Sequence, residues 1–196
     1  MRAVDTLVQQ GKVLYLGISN FAAWQAATAI GITRLKNLAP VVCIQPMYSL
    51  VKRQAEVELL PLAEYEHLAV FPYNAIGAGL LTGKYLRGES GRLHEAEMYR
   101  QRYANPQYVE VTRRFVEYAA QQKVSPAALA VAWVMAHPAV TAPIVGARDL
   151  VQFRDTLQCL DMQLSAEERA VITALSVDPP SATDRESMEA MKKRGW

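Results

Sequence analysis

Val13-Leu14-Tyr15-Leu16-Gly17-Ile18-Ser19-Asn20-Phe21 is the stretch on which the reading of this chain turns. An apolar run of strand length leads into Ser19 and Asn20, so polar side chains stand at the strand's C-terminal end. The pattern returns three times: at Gln45 after the run 41–45, at Tyr73-Asn74 after 68–73, and at Gly146-Ala147-Arg148 after 140–145. Strand, loop and helix repeated with chemistry at each strand's end predict parallel pairing, right-handed crossovers and a barrel that meets its ligand at one rim. Since about four such units are present, the expected fold class is α/β: a partial (β/α)8 TIM-type barrel of about four parallel strands with outer helices.

The helices follow from the spacing between these strands. Residues 2–10 carry Ala3, Val4, Leu7 and Val8 at helical intervals, with Gly11 as a stop. A helix is expected over 22–30, closed by Gly31, and another over 54–67, where Pro61 implies a kink or an offset start. Residues 88–107 are polar and poorly periodic and predict a long surface loop with one helical turn at most. A helix over 108–123 turns Val109, Val111, Phe115, Val116 and Ala119 inward. Ser125-Pro126 starts the next, over 127–136, and another spans 151–159. Ser165 and Glu168 form a capping box for the last. One domain covers 1–196, with a core over 2–176 and a polar tail over 177–196.

Composition narrows the function classes. The chain has 196 residues, 51% of them hydrophobic, enough for one sizeable core. A net charge of +2 gives no electrostatic footprint for nucleic acid or a membrane surface, and neither partner is expected. No charged segment followed by an apolar run opens the sequence, so a secretory leader is not expected, and residues 127–136 are too short to span a bilayer. Cys43 and Cys159 lie among apolar neighbours and read as buried thiols of a cytoplasmic protein. His67, His94 and His137 stand apart from any ligand partners, so no metal site is expected. Gly77-x5-Gly83-Lys84 has one residue too many for a P-loop, and Tyr85 where Ser or Thr belongs. The acidic pairs Glu56/Glu58 and Glu167/Glu168 read as solvated helix faces.

With the rim residues in order, the sequence resembles the aldo-keto reductase family. The matching pieces are residues 7–21, Gln45, Gly77-Ala78-Gly79-Leu80-Leu81-Thr82-Gly83-Lys84-Tyr85, and Pro143-Ile144-Val145-Gly146-Ala147-Arg148. The resemblance implies an NADP(H)-dependent oxidoreductase that reduces aldehydes or ketones. It also implies that the chain carries strands five to eight of the barrel, so that none of its residues takes a catalytic role. The alternatives are a non-catalytic module that binds cofactor or a partner, as potassium-channel β subunits do, and a truncated product without function. Four strands alone leave two sheet edges and an open apolar interior, which predicts a homo-oligomer or a complementing N-terminal half.

The resemblance also assigns the cofactor residues. Ser19, Asn20 and Gln45 match those that hold the nicotinamide carboxamide, and Tyr73 matches the aromatic that stacks on the ring. Asn74, Ala75, Ile76, Gly77, Gly79 and Leu80 form the pyrophosphate loop, with Lys84 as its cation. Asn74-Ala75 stands where relatives have Ser-Pro, which leaves the loop less pre-set. Gly146, Ala147 and Arg148 match the adenosine end, with Arg148 suited to the 2′-phosphate. Gln152, Asp155 and Thr156 match adenine and ribose contacts, with Thr156 in place of the usual asparagine. Taken singly, Ser19-Asn20 is also a helix cap, Tyr73 a core aromatic and Arg148 a surface charge. Their joint order carries the reading.

Overall fold

The computed structural model of the chain describes residues 1–182; of the tail read over 177–196, residues 183–196 lie outside the described residues. Helix α1 (Arg2–Gln9) ends where Gly11, at φ +69, turns its N–H back to Val8. β1 (Leu16–Ser19) begins later than the apolar run, with Leu14 and Tyr15 left exposed. Helix α2 (Ala23–Leu35) runs through Gly31 instead of closing there. It stops at Asn37, whose left-handed φ of +49 lets the Asn37 and Leu38 amides reach Arg34 and Thr33. The same left-handed closure ends α3 (Leu59–Tyr65) at His67 and α6 (Gln107–Gln121) at Lys123. The helix expected over 54–67 is split into a 3-10 turn, Gln54–Glu56, and α3. Pro61 falls in the first turn of α3, where an amide N–H has no intrahelical partner to lose.

β2 (Val41–Gln45) lies between β1 and β3 (Ala69–Val70) in a parallel sheet of order β1-β2-β3. Ser19 is level with Gln45, and Ile44 with Val70. Pairing continues past Val70 through Phe71 N–H to Ile44 O and Tyr73 N–H to Pro46 O, and an isolated parallel bridge joins Met47 to Tyr73, with Tyr48 N–H donating to Tyr73 O. The fourth strand expected over 140–145 is present as an extended segment, not as a strand. Thr141 and Ala142 both donate to Val70 O, Ile144 donates to Pro72 O at 2.7 Å, and one parallel bridge joins Tyr73 to Ile144. In this register the N–H of residue 72 would donate to Ala142 O, and Pro72 has none, so a continuous ladder cannot form.

One face of the sheet presents Ile18, Ile44 and Val70, all buried, beneath α2 and α3. The other presents Gly17, Ser19, Cys43, Gln45 and Ala69, of which Cys43 and Ala69 are half-buried. Gly17 is required here, because a Cβ at that position would lie 2.5 Å from Cys43 Sγ.

The loop expected over 88–107 contains two short helices, α4 (Arg92–Glu95) and α5 (Glu97–Arg102). Leu93, Tyr99 and Tyr103 pack against the core and hold them. α6 buries Val111, Phe115 and Ala119 as expected but leaves Val109 exposed. α7 (Pro126–Met135), capped by Ser125, is the centre of the core: every residue from 127 to 134 is buried. α6, α8 (Leu150–Leu157) and the 3-10 turn Gly77–Thr82 enclose it. α9 (Ala166–Thr173) starts at the expected Ser165–Glu168 capping box. No helix of the described residues is long and apolar enough to cross a membrane.

Candidate functional site

The C-terminal ends of β1 and β2 place Ser19 and Gln45 side by side, and the Ser19 hydroxyl donates to Gln45 O at 2.8 Å. Asn20 follows at φ +57, and its Oδ1 accepts the Tyr73 hydroxyl at 2.6 Å. The Tyr73 backbone is bridged to Met47 on one side and Ile144 on the other, and its hydroxyl reaches Asn20, so Tyr73 is linked to each of the other extended segments or the residues just beyond them. Ser19 and Asn20 do not cap α2: the cap is Ala22, whose N–H donates to Gln25 Oε1. Ser19, Asn20 and Gln45 are exposed and Tyr73 is half-buried. The rim thus groups a hydroxyl, two side-chain amides and an aromatic ring at the strand ends.

The loop after Tyr73 is wound tightly. Asn74, Gly77, Ala78 and Gly79 all have positive φ, and Ala75, Gly77 and Leu80 are buried, with Ile76 half-buried. The Gly77 and Gly79 amides donate to Asn74 O and Ile76 O, and the Ala78 amide to Asn74 Oδ1. Asn74 Nδ2 donates in turn to the buried Tyr103 hydroxyl at 2.7 Å. Asn74, where relatives were expected to have Ser, thus uses its side chain inside the loop rather than offering it outward. Its tolerance of left-handed backbone suits it to that place. Lys84 packs over Gly79 and Gly91, with Nζ 4.8 Å from the Tyr85 ring centroid, and makes no ion pair among the described residues.

At the fourth segment, Gly146, Ala147 and Arg148 are exposed ahead of α8. Arg148 is paired at 3.6 Å with Glu95 of α4, and its N–H donates to Gln152 Oε1. The helices of the 88–107 segment therefore lie across the same side of the molecule as Lys84 and Arg148. Asp155 and Thr156 point elsewhere. Asp155 accepts the Ser125 hydroxyl at 2.8 Å, and Thr156 is buried and donates to Gln152 O. The structure brings Ser19, Asn20, Gln45 and Tyr73 together, places Lys84 and Arg148 on flanking loops, and turns Asp155 and Thr156 toward α7.

Sequence reasoning missed a buried charged cluster behind the rim. Glu56 is not on a solvated face: it accepts from Tyr48 Oη at 2.5 Å and from Arg53 Nε and a terminal nitrogen, and lies 3.5 Å from Arg169. Arg169 donates to Tyr48 Oη and stacks 4.8 Å from the Trp133 ring, and Arg53 reaches Asp178. Burial works against the Glu56 carboxylate, but the bonds from Arg53 and Tyr48 prevail and hold its pKa below the ordinary value. Burial and the same carboxylate push the Tyr48 phenol up. The cluster ties the loop after β2 to α9. Its members lie 121 residues apart in sequence for Tyr48 and Arg169, a separation that no local pattern reveals.

Comparison with known proteins gives the family. The family model described as "Aldo/keto reductase family" matches residues 1–177. The chain is 32% identical over 186 residues to an uncharacterized oxidoreductase, YrpG, of Bacillus subtilis, covering 92% of this chain and 54% of that protein. It is 30% identical over 167 residues to protein tas of Escherichia coli, covering 84% and 48%. It is 27% identical over 175 residues to an NADP(+) aryl-alcohol dehydrogenase of Phanerodontia chrysosporium, covering 86% and 45%. The chain spans about half the length of these relatives.

Proposed function

Since the chain belongs to the aldo/keto reductase family, we propose that it is the cofactor-clasping part of an NADP(H)-dependent oxidoreductase acting on aldehydes or ketones. The reading is carried by one observation: Ser19 and Gln45 stand side by side at the ends of β1 and β2, and Asn20, next along the chain, is bonded to Tyr73 at 2.6 Å. These groups fit a flat ring bearing an amide. The Tyr73 face supplies a stacking surface, and the bond to Asn20 fixes its tilt. Ser19, Gln45 and Asn20 Nδ2 supply directed donors and acceptors for the amide. Lys84, without a carboxylate partner among the described residues, suits a pyrophosphate, and Arg148 suits a further phosphate once Glu95 is displaced.

When bound, the nicotinamide would supply the hydride. The chain's own part is to hold the ring flat so that one face meets the carbonyl carbon. No residue of 1–196 is assigned the proton that the carbonyl oxygen must receive, and we place that group in a complementing half of the barrel. Among the described residues β1 pairs only with β2, which leaves an edge for such a half or for a second copy. Titration of the chain with NADPH, read by cofactor fluorescence, tests the proposal. Saturable binding that Tyr73→Ala weakens about tenfold is expected, without turnover of a generic aldehyde by the chain alone. Absence of binding, or binding indifferent to Tyr73→Ala, would refute it. Turnover by the chain alone would refute the assignment of the proton donor.

A further inference from the structure

Beside the rim, a cleft of about 350 Å³ is lined by Asn20, Phe21, Pro46, Met47, Lys52 and Arg102, among others. Lys52 comes from the loop after β2 and Arg102 from the end of α5, so two unrelated elements bring cations to one place. Neither makes an ion pair among the described residues, whereas Arg34, Arg53, Arg87, Arg100, Arg148 and Arg169 all do. Aromatic faces hold them instead. Lys52 Nζ is 5.0 Å from the Tyr108 ring centroid and 5.8 Å from that of Tyr103, and the Arg102 guanidinium is 5.7 Å from that of Tyr99. Ring faces steady a cation without neutralising it, so both charges stay available to a ligand. No aspartate or glutamate lines the cleft.

We propose that this cleft binds the carboxylate of an acidic carbonyl substrate, a keto acid or aldehyde acid whose carbonyl end reaches the Asn20–Tyr73 rim. The volume lies within the small-ligand range of roughly 300–1,000 Å³. Phe21, Pro46, Met47 and Leu59 supply an apolar wall for the body of such a molecule, and Asn20 belongs to cleft and rim alike. Lys52 and Arg102 are the cations of the cleft's lining, and from either a carboxylate would accept a charge-assisted hydrogen bond. This inference names the substrate class for the site of the proposed function and rests on that reading for the orientation of the carbonyl. The preference for an acid rests on the cleft alone.

The test uses the chain as it stands, with calorimetric titration of 4-acetylbenzoate against its methyl ester. The two ketones share a body and differ in charge. The acid is expected to bind about tenfold tighter at low ionic strength, with the preference shrinking as salt is added. In Lys52→Gln/Arg102→Gln, shown folded by circular dichroism, the preference should fall to within about twofold while NADPH binding is unchanged. If Lys52→Gln does not fold, Arg102→Gln alone should lose about threefold of the preference. Equal binding of acid and ester, or a preference that survives the substitutions, overturns the proposal. So does competition between NADPH and 4-acetylbenzoate, which would give the cations to the cofactor. A chain that prefers the acid yet does not bind NADPH upholds the cleft and removes the cofactor reading.

Discussion

Replacing Glu56 with glutamine tests what the buried cluster contributes. The carboxylate is the one acid shared by Tyr48, Arg53 and Arg169, and the Glu56 side chain is 18% exposed while that of Arg53 is 8% exposed. Glutamine keeps the shape but offers one acceptor oxygen, and it removes the charge that offsets two guanidinium groups. Among the described residues Asp178, which is 88% exposed, is then the only acid on Arg53, and Arg169 retains only the Tyr48 hydroxyl and the Trp133 ring. Breaking a buried ion pair from one side costs about 3–5 kcal/mol, and the residual exposure places Glu56→Gln near ~3 kcal/mol. With a urea m-value of about 2 kcal/mol/M, the midpoint should fall by about 1.5 M. Adding Arg169→Met removes an orphaned cation, so the double variant should be more stable than the sum of the single effects by more than about 1 kcal/mol. A Glu56→Gln midpoint within about 0.2 M of the parent, or strict additivity, would refute the claim that the cluster anchors the loop after β2 to α9.

The pH dependence follows from the same residues. Glu56 has a depressed folded pKa, so its contribution is full above the ordinary carboxylate range and is lost as pH falls through the folded value. Glu56→Gln should flatten the acid limb of stability in denaturant titrations from about pH 4.5 downward. Burial, and then Arg169, hold the His137 pKa below its usual value, so the unfolded chain protonates first and stability falls as pH drops below about 6.5. His137→Asn should remove that slope in melts between about pH 7 and 5.5. Gly17→Ala sets a Cβ against Cys43 Sγ and should cost about 1–2 kcal/mol by urea melt. In a Cys43→Ala background the cost should nearly vanish. Glu95→Gln releases Arg148 from an exposed pair worth at most about 1 kcal/mol, so NADPH should bind up to about fivefold tighter by fluorescence titration.

Where a local signal and the packing agree, the sequence predicted the structure closely. Residues 41–45 form β2 as read, and Ser125 and Ser165 cap the helices assigned to them. Gly31 misled because its helix is held by Ala26, Ala29 and Ile30 buried beneath it, and the real stop is a left-handed asparagine. Residues 88–107 looked like a loop because Leu93, Tyr99 and Tyr103 follow no single period, yet each finds the core. The rim was legible because its residues are close to their own strands. Lys52, Arg102 and the Glu56 cluster were not, since they depend on loops brought together from distant parts of the chain.

Helix α7 has a consequence for how the molecule moves. Residues 127–134 have no solvent side, so their amide protons should exchange with deuterium only when the entire chain opens. β1 is short and held along one edge, and it should exchange by local fraying long before that. The stiffest part of the chain is thus a helix packed among other helices, while the rim hangs from the more yielding strand ends. An occupant of the rim would slow deuterium uptake at Ser19, Asn20 and the turns after Tyr73, and leave α7, already at its ceiling, unchanged.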